Sequence, residues 1–233
     1  MLSLKLGLSL NSSNYPSSSA WSPTDESSLE AWYQKGVGVT EVSGKLSAWS
    51  DSSTNSKNIT QTSAAARPDY SNGVVTFTAA DNEFLNITPD IDLSGEFTIG
   101  IKAFPTAASI NHTLLGHSGG STEFDEFIKY ATSTKMTIRV SGSTGHINLV
   151  GGEGTFGDNN LVLTRDSSNV IRLHKDGTLI TDSTTLSGTI SVNIIGNRGT
   201  GVNDFEGNLE ELQFFSSTSS ALTANVNARL AGL

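Results

Sequence analysis

Short apolar runs recur along the chain, each a few residues long and each closed by Gly, Asn, Asp or Ser. Runs rich in Val, Ile, Thr and Phe predict strands at Val74 to Thr78, Phe97 to Phe104, Thr113 to His117, Lys135 to Ser141, Ile147 to Val150, Leu161 to Arg165, Ile190 to Ile195 and Leu209 to Phe215. Helical periodicity is almost absent between Leu29 and about Phe215, and the rhythm is that of an antiparallel sandwich. The sharpest local pattern runs from Val170 to Ile180, where Asp176-Gly177 supplies the two positive-φ positions of a type I′ turn between two apolar runs. After Thr218 the period changes: Ser219 or Ser220 offers an N-cap, and Leu222, Val226 and Leu230 fall on one face of a short amphipathic helix.

The N-terminal pattern is different. Leu2, Leu4, Leu6, Leu8 and Leu10 alternate with Ser3, Lys5, Gly7 and Ser9, which predicts a strand with one apolar face. A secretory segment would instead be a continuous apolar run. No apolar run reaches the roughly 18 residues of a bilayer span, so no membrane partner is expected. A polar stretch from Asn11 to Ser19 follows and reads as a linker, dividing the chain into an arm at 1–28 and a sandwich domain at 29–233. Asn58, Asn86 and Asn111 fit the N-glycosylation acceptor pattern but, with no secretory signal, are read as chance in an Asn/Thr-rich chain.

Composition narrows the function classes. The 233 residues suffice for one large domain or a domain with an arm. Charged residues make up 16%, below the roughly 25% of an average globular protein, which argues against a long-helix or coiled-coil protein. Fourteen Lys and Arg against 23 Asp and Glu give a net charge of −9, with no basic cluster to track a phosphate backbone, so nucleic acid is set aside. The absence of cysteine removes disulfides, thiolate metal sites and a cysteine nucleophile.

Several segments, taken in order, resemble a known family. Leu29-Glu30-Ala31-Trp32-Tyr33, Val37-Gly38-Val39-Thr40, Trp49-Ser50-Asp51-Ser52 with Asn55 and Asn58, Ala66-Arg67-Pro68-Asp69-Tyr70, Val75-Thr76-Phe77 and Asn82-Glu83-Phe84-Leu85 look like the opening of concanavalin A-like (laminin G-like) jelly-roll domains. Gly95-Glu96-Phe97-Thr98-Ile99 resembles a sheet-opening strand of that family, the Asp176-Gly177 hairpin its central ribbon, and Phe205 to Phe215 its closing strand, which a short helix follows. Such domains are common in phage and bacterial surface proteins. The resemblance implies an all-β, two-sheet antiparallel jelly roll with an extended N-terminal arm and a short C-terminal helix. Trp32, Trp49, Phe77, Phe97, Phe104, Phe205 and Phe214 would then fill the space between the sheets. Trp21, Tyr15 and Tyr70 sit in polar, loop-like sequence where sugar stacking is the alternative to packing.

Candidate chemistry is sparse. Retaining glycosidases of this fold carry three carboxylates on one strand face. In Glu123-Phe124-Asp125-Glu126 alternation puts only Glu123 and Asp125 on one face, with Phe127 next, so an acidic loop or edge is expected and no catalytic residue is assigned. His112, His117, His146 and His174 are scattered without zinc-ligand spacing. Asp158-Asn159-Asn160, Asn203-Asp204 and Asp51 with Asn55 have the oxygen chemistry for calcium but are equally turn formers, and no metal or cofactor is assigned. There is no Gly-x-Ser-x-Gly elbow, and Gly151-Gly152-Glu153-Gly154 lacks the context of a phosphate loop.

Two function classes remain. The first is a non-enzymatic virion structural protein of a bacteriophage, assembled in the host cytoplasm. It would be a capsid decoration or other particle-surface protein whose partner is a capsid or other virion protein, or a neighbouring copy in a homo-oligomer. The second is a carbohydrate-binding adhesin, with or without calcium, whose partner is a cell-surface glycan. The first assigns partner binding to Leu2, Leu4, Leu6, Leu8 and Leu10, since each buried leucine is worth about 1.5 to 3 kcal/mol and the linker can extend roughly 60 Å at about 3.3 Å per residue. Docking by β-augmentation on another chain is then expected. Deletion of residues 1–12 should leave a folded domain of near-native melting temperature that no longer joins particles; a truncated chain that unfolds would show that the strand belongs to its own sandwich.

Overall fold

The computed structural model describes residues 21–106, 111–118, 127–198 and 203–233. In chain order the strands are β1 (Leu29–Tyr33), β2 (Val39–Val42), β3 (Lys45–Trp49), β4 (Asn58–Thr60), β5 (Asp69–Ser71), β6 (Val74–Phe77), β7 (Leu85–Leu93), β8 (Phe97–Pro105) and β9 (His112–Gly116). They continue with β10 (Phe127–Thr132), β11 (Lys135–Val140), β12 (Ser143–Asn148), β13 (Asn159–Arg165), β14 (Val170–Lys175), β15 (Thr178–Thr185), β16 (Ile190–Ile195) and β17 (Gly207–Phe215), and helix α1 (Ser220–Ala231) closes the chain.

The strand ladders are antiparallel and form two layers. One layer runs β17, β8, β13, β14, β15, with β17 flanked on its other edge by β6 near Gly207 and by β1 near Phe215. The second runs β2, β3, β4, β7, β16, β9, β10, β11, β12. A single pairing, Lys45 with Asp69, joins β3 to β5 and links the layers at one corner. This is the antiparallel sandwich that the alternation predicts, in the two-sheet jelly-roll form that the resemblance implies.

Side-chain alternation decides which face each residue serves. On β8, Phe97, Ile99, Ile101 and Ala103 enter the core, as do Leu161 and Leu163 of β13, while Val162 joins a separate cluster beneath α1. Five of the seven predicted core aromatics, Trp49, Phe77, Phe97, Phe205 and Phe214, are almost fully buried in the main cluster. Trp32 is buried on the outer face instead, and Phe104 is half-buried. Phe205 stands edge-on to Phe77 at 5.7 Å and stacked on Tyr130 at 6.1 Å, so it is gripped from both sheets.

Helix α1 begins as predicted, with the Ser219 side chain accepting from the Leu222 amide at 3.0 Å. Leu222, Val226 and Leu230 are buried against Val162 and Phe215. Close approach to the sheet requires Gly100, because a Cβ there would stand 2.5 Å from Val226 Cγ1. The hairpin turn is also as predicted: Asp176 and Gly177 have φ of 50° and 78°, and Lys175 pairs with Thr178. Most predicted strands shift by one or two residues at a boundary, and one shifts further. The strand expected at Ile147 to Val150 runs from Ser143 to Asn148, because Ser141 and Gly142 form a positive-φ turn that starts the pairing before the apolar residues begin.

Two buried charges tie elements together, Arg165 across the layers and Glu211 within one layer and its helix. Arg165, fully buried, donates to the carbonyls of Leu93 (2.9 Å), Gly95 (2.6 Å) and Gly188 (2.8 Å) and lies 4.8 Å over the Phe97 ring. The fully buried Glu211 accepts from Arg229 at 2.5 and 3.0 Å, from Trp32 Nε1 at 2.9 Å and from Gln213 at 2.8 Å. Arg165→Met retains the side-chain bulk but orphans three carbonyls, and should destabilise the domain by on the order of 3 kcal/mol in chemical denaturation. An unchanged denaturation midpoint would show that water replaces the guanidinium.

Candidate functional site

Three loops meet at one end of the sandwich. The first follows β6, where the turn at Ala79–Asp81 ends in Asn82, whose φ of 52° is left-handed. Glu83, 1% exposed, holds this turn by accepting the Thr78 amide (2.8 Å) and the Lys45 ammonium (2.9 Å). The second is the approach to β9, where Asn111 (φ 74°) precedes His112 and accepts from Lys129 Nζ at 3.2 Å. Burial, followed by the charge of Arg198, pulls the Lys129 pKa below the ordinary lysine value.

The third loop leads into β17. Asn203 (φ 60°) accepts the Thr113 amide through its carbonyl at 2.7 Å, and Asp204 makes a parallel bridge with Thr113. His112 Nδ1 donates to the Asp204 carbonyl at 2.7 Å, which fixes the plane of the ring. Because Phe205 is locked in the core and its amide donates to Gly196 at 2.7 Å, Asp204 cannot turn away.

These loops enclose a cleft of about 540 Å³ lined by Ala79, Ala80, Asn82, Asn111, His112, Asn203 and Asp204. That volume lies within the range of small-ligand pockets. Asp204 is 6% exposed, and among the described residues its Oδ1 has no hydrogen-bond partner; the Thr113 hydroxyl, also buried, has none there either. Burial raises the Asp204 pKa above the ordinary carboxylate value, against the lowering effect of His112. An unpartnered buried carboxylate oxygen calls for a donor, and the asparagine amides beside it both donate and accept. The arrangement suits a ligand that presents several hydroxyls at once.

Of the three calcium-type groupings in the sequence, only Asn203-Asp204 lines this cleft. Asp51 is taken up by a turn, accepting from the amides of Trp32, Ser53 and Lys57. Asp158 pairs with Lys102 at 3.0 Å, and Asn159 and Asn160 bind Asp176 at the neighbouring hairpin. Among the histidines, His112 joins the cleft, His117 meets Asp90 at 3.3 Å, His146 meets Thr137 at 3.0 Å, and His174 lies on the outer sheet face. Trp21 packs on Phe215 at 6.4 Å with its indole donating to Glu26, and Tyr70 packs against the core, so neither is displayed for stacking. Leu2, Leu4, Leu6, Leu8, Leu10, Tyr15, Glu123, Asp125 and Glu126 lie outside the described residues. In the sequence Asn82 belongs to a family-like segment, Asn111 to a glycosylation-type tripeptide and His112 to a scattered set of histidines, and nothing there joins the three in one site.

No protein-family model matches the sequence, and no curated protein matches it. Solved structures do share the fold. The binding domain of paraclostridial mosquitocidal protein 1 superposes with a TM-score of 0.58 at 12% identity, over 91% of this chain and 53% of that one. The binding domain of botulinum neurotoxin DC in complex with SialylT gives 0.57 at 13% identity, over 91% and 52%. Trypanosoma rangeli sialidase gives 0.54 at 9% identity, over 88% of this chain and 33% of the enzyme. The chain thus spans about half the length of the toxin binding domains and a third of the sialidase. At these identities the likeness is one of fold.

A ligand-poised carboxylate should lower stability. Since the folded-state pKa of Asp204 is raised above the unfolded value near 3.8, the folded chain holds more protons between the two values, and stability falls as pH rises through that window. Asp204→Asn should therefore melt above the wild type at neutral pH, by on the order of 1 kcal/mol. The difference should close below the ordinary aspartate value. An asparagine variant that melts lower at neutral pH would mean that the carboxylate is a structural anchor.

Proposed function

We propose that the chain is a non-catalytic carbohydrate-binding domain of the adhesin type, which holds a glycan in the end cleft around Asp204. The observation that carries this reading is the unpartnered, buried Asp204 oxygen in an open cleft with Asn82, Asn111 and Asn203. A carboxylate accepts from two neighbouring sugar hydroxyls, and asparagine amides complete the donors and acceptors that a pyranose edge needs. The fold supports the same reading, since one of the similar structures is a toxin binding domain in complex with SialylT.

The virion reading assigns attachment to the alternating leucines Leu2 to Leu10, which lie outside the described residues. In a combined form the leucine arm is the attachment element and the sandwich the sugar-holding head, as a lectin on a particle surface would require. Catalysis is left out of the proposal because the glycosidase pattern already lacks its third carboxylate in the sequence.

Screening the purified chain on a broad glycan array, followed by titration calorimetry, tests the proposal. Binding of at least one glycan class is expected, weakened about 10- to 100-fold by Asp204→Asn, the range for a charged hydrogen bond worth about 1.5 to 3 kcal/mol. An array at background, or binding indifferent to Asp204, would overturn it.

A further inference from the structure

A second concavity lies far from the end cleft in the fold, on the outer face of the β17–β8–β13–β14 sheet. It is a groove of about 490 Å³ between the first turns of α1 and strands β13 and β14. Its formation follows from elements already described: α1 packs on Val162 and Phe215, which leaves the outward side chains of β13 and β14 beside the helix uncovered. Among the described residues two buried polar atoms in this groove have no hydrogen-bond partner, Nδ1 of His174, whose ring otherwise meets the Val162 backbone, and Oδ1 of Asn227. One comes from the sheet and the other from the helix. The Asn227 amide is held against the hairpin turn, because a Cβ at Gly177 would stand 2.9 Å from its Nδ2.

Charge decides what kind of molecule suits the groove. Arg172 and Asp166 form an ion pair within it, and the guanidinium holds the Asp166 carboxyl below the usual range, so the two charges cancel locally. Burial pushes the His174 pKa below the ordinary imidazole value, which leaves the ring neutral at physiological pH. The helix N-terminus is capped by Ser219. What remains is a neutral lining with one unpaired acceptor on Asn227, one imidazole nitrogen that donates or accepts according to tautomer, and the hydroxyl-bearing residues Thr164, Thr218 and Ser220.

We infer that this groove is a second binding site, for a neutral hydroxyl-rich ligand such as an uncharged sugar residue. A sugar hydroxyl donates to Asn227 Oδ1 while a neighbouring hydroxyl meets His174 Nδ1, satisfying both orphaned groups without bringing a new charge beside the Asp166–Arg172 pair. The ligand class is shared with the reading of the end cleft, but the groove uses different residues and stands or falls by itself. With both sites present, one chain would engage two sugar units, and avidity would follow wherever a glycan spans or crosslinks them.

Two-dimensional NMR of the full chain, titrated separately with maltose, cellobiose, lactose and glucuronate, tests the inference. At least one neutral disaccharide should shift the Asn227 side-chain amide and the His174 ring signals, whereas glucuronate should not shift them more strongly. Asn227→Ala, which removes the acceptor from a helix surface, and Ala224→Gln, which fills the groove with a longer side chain, should each abolish those shifts while leaving the Asn82 and Asn111 signals of the end cleft as responsive as in the wild type. Asp204→Asn should do the reverse. A spectrum unchanged at Asn227 and His174 for every neutral sugar overturns the inference, as does a response to glucuronate alone. Groove shifts without end-cleft shifts would uphold the groove and count against the end cleft instead.

Discussion

Glu211 is the contact on which the closure of the domain depends. It is fully buried in the last strand, yet its carboxylate gathers Arg229 from the C-terminal helix, Trp32 from the first strand and Gln213 from its own strand, all at 3.0 Å or less. Arg229 also lies 4.6 Å over the Trp32 ring. A charge so placed is costly unless every lone pair is used, and here several partners share it. The result is that β1, β17 and α1, elements from the two ends of the described sandwich, are tied at one point. Arg165 does the same for the loops beside β7, β13 and β15, through backbone carbonyls in place of a counter-charge.

Against that background the unsatisfied groups stand out. Glu211 and Arg165 have their partners, whereas among the described residues Asp204, Thr113, Asn160, His174, Gln213 and Asn227 each leave a buried polar atom unpaired. Asp204, His174 and Asn227 line clefts open to solvent. Buried polar atoms without partners are uncommon in folded proteins because each one costs stability. Asp204, His174 and Asn227 thus mark two chemically different concavities of the sandwich, one neutral and one holding a carboxylate. A rigid strand scaffold with its polar chemistry on loops and at a helix edge is the usual division of labour in such domains.

Much of this was legible before the fold was known. The Asp176-Gly177 hairpin, the helix start at Ser219 or Ser220 and the Leu222, Val226, Leu230 stripe all act through contacts within a few residues, so spacing alone shows them, and the structure settles the cap on Ser219. The pattern places no separate strand at β1, β2, β3, β4, β5, β7 or β10; β2, β4 and β5 are short and largely exposed, and such strands carry little alternation. The strand at Ser143–Asn148 begins in polar residues, and its pairing is set by a Ser-Gly turn, which is a weaker signal than Asp-Gly. Asn203-Asp204 shares its oxygen chemistry with two other groupings, one of which holds a turn at Asp51 while the other begins β13 and pairs with Lys102 and Asp176.

The sequence by itself determined the all-β class, the hairpin, the terminal helix and the identity of most core aromatics, because period-two alternation and turn chemistry are local properties of the chain. Only the tertiary structure decided which polar residues matter. Asn82, His112 and Asp204 come from three segments of the chain, as do Thr164, His174 and Asn227, and nothing in their local sequence links them. Whether an aspartate is a solvated turn residue, as Asp51 nearly is, or a buried carboxylate without a partner depends on what the distant strands place around it. Desolvation is a property of that surrounding, and no spacing rule along the chain encodes it.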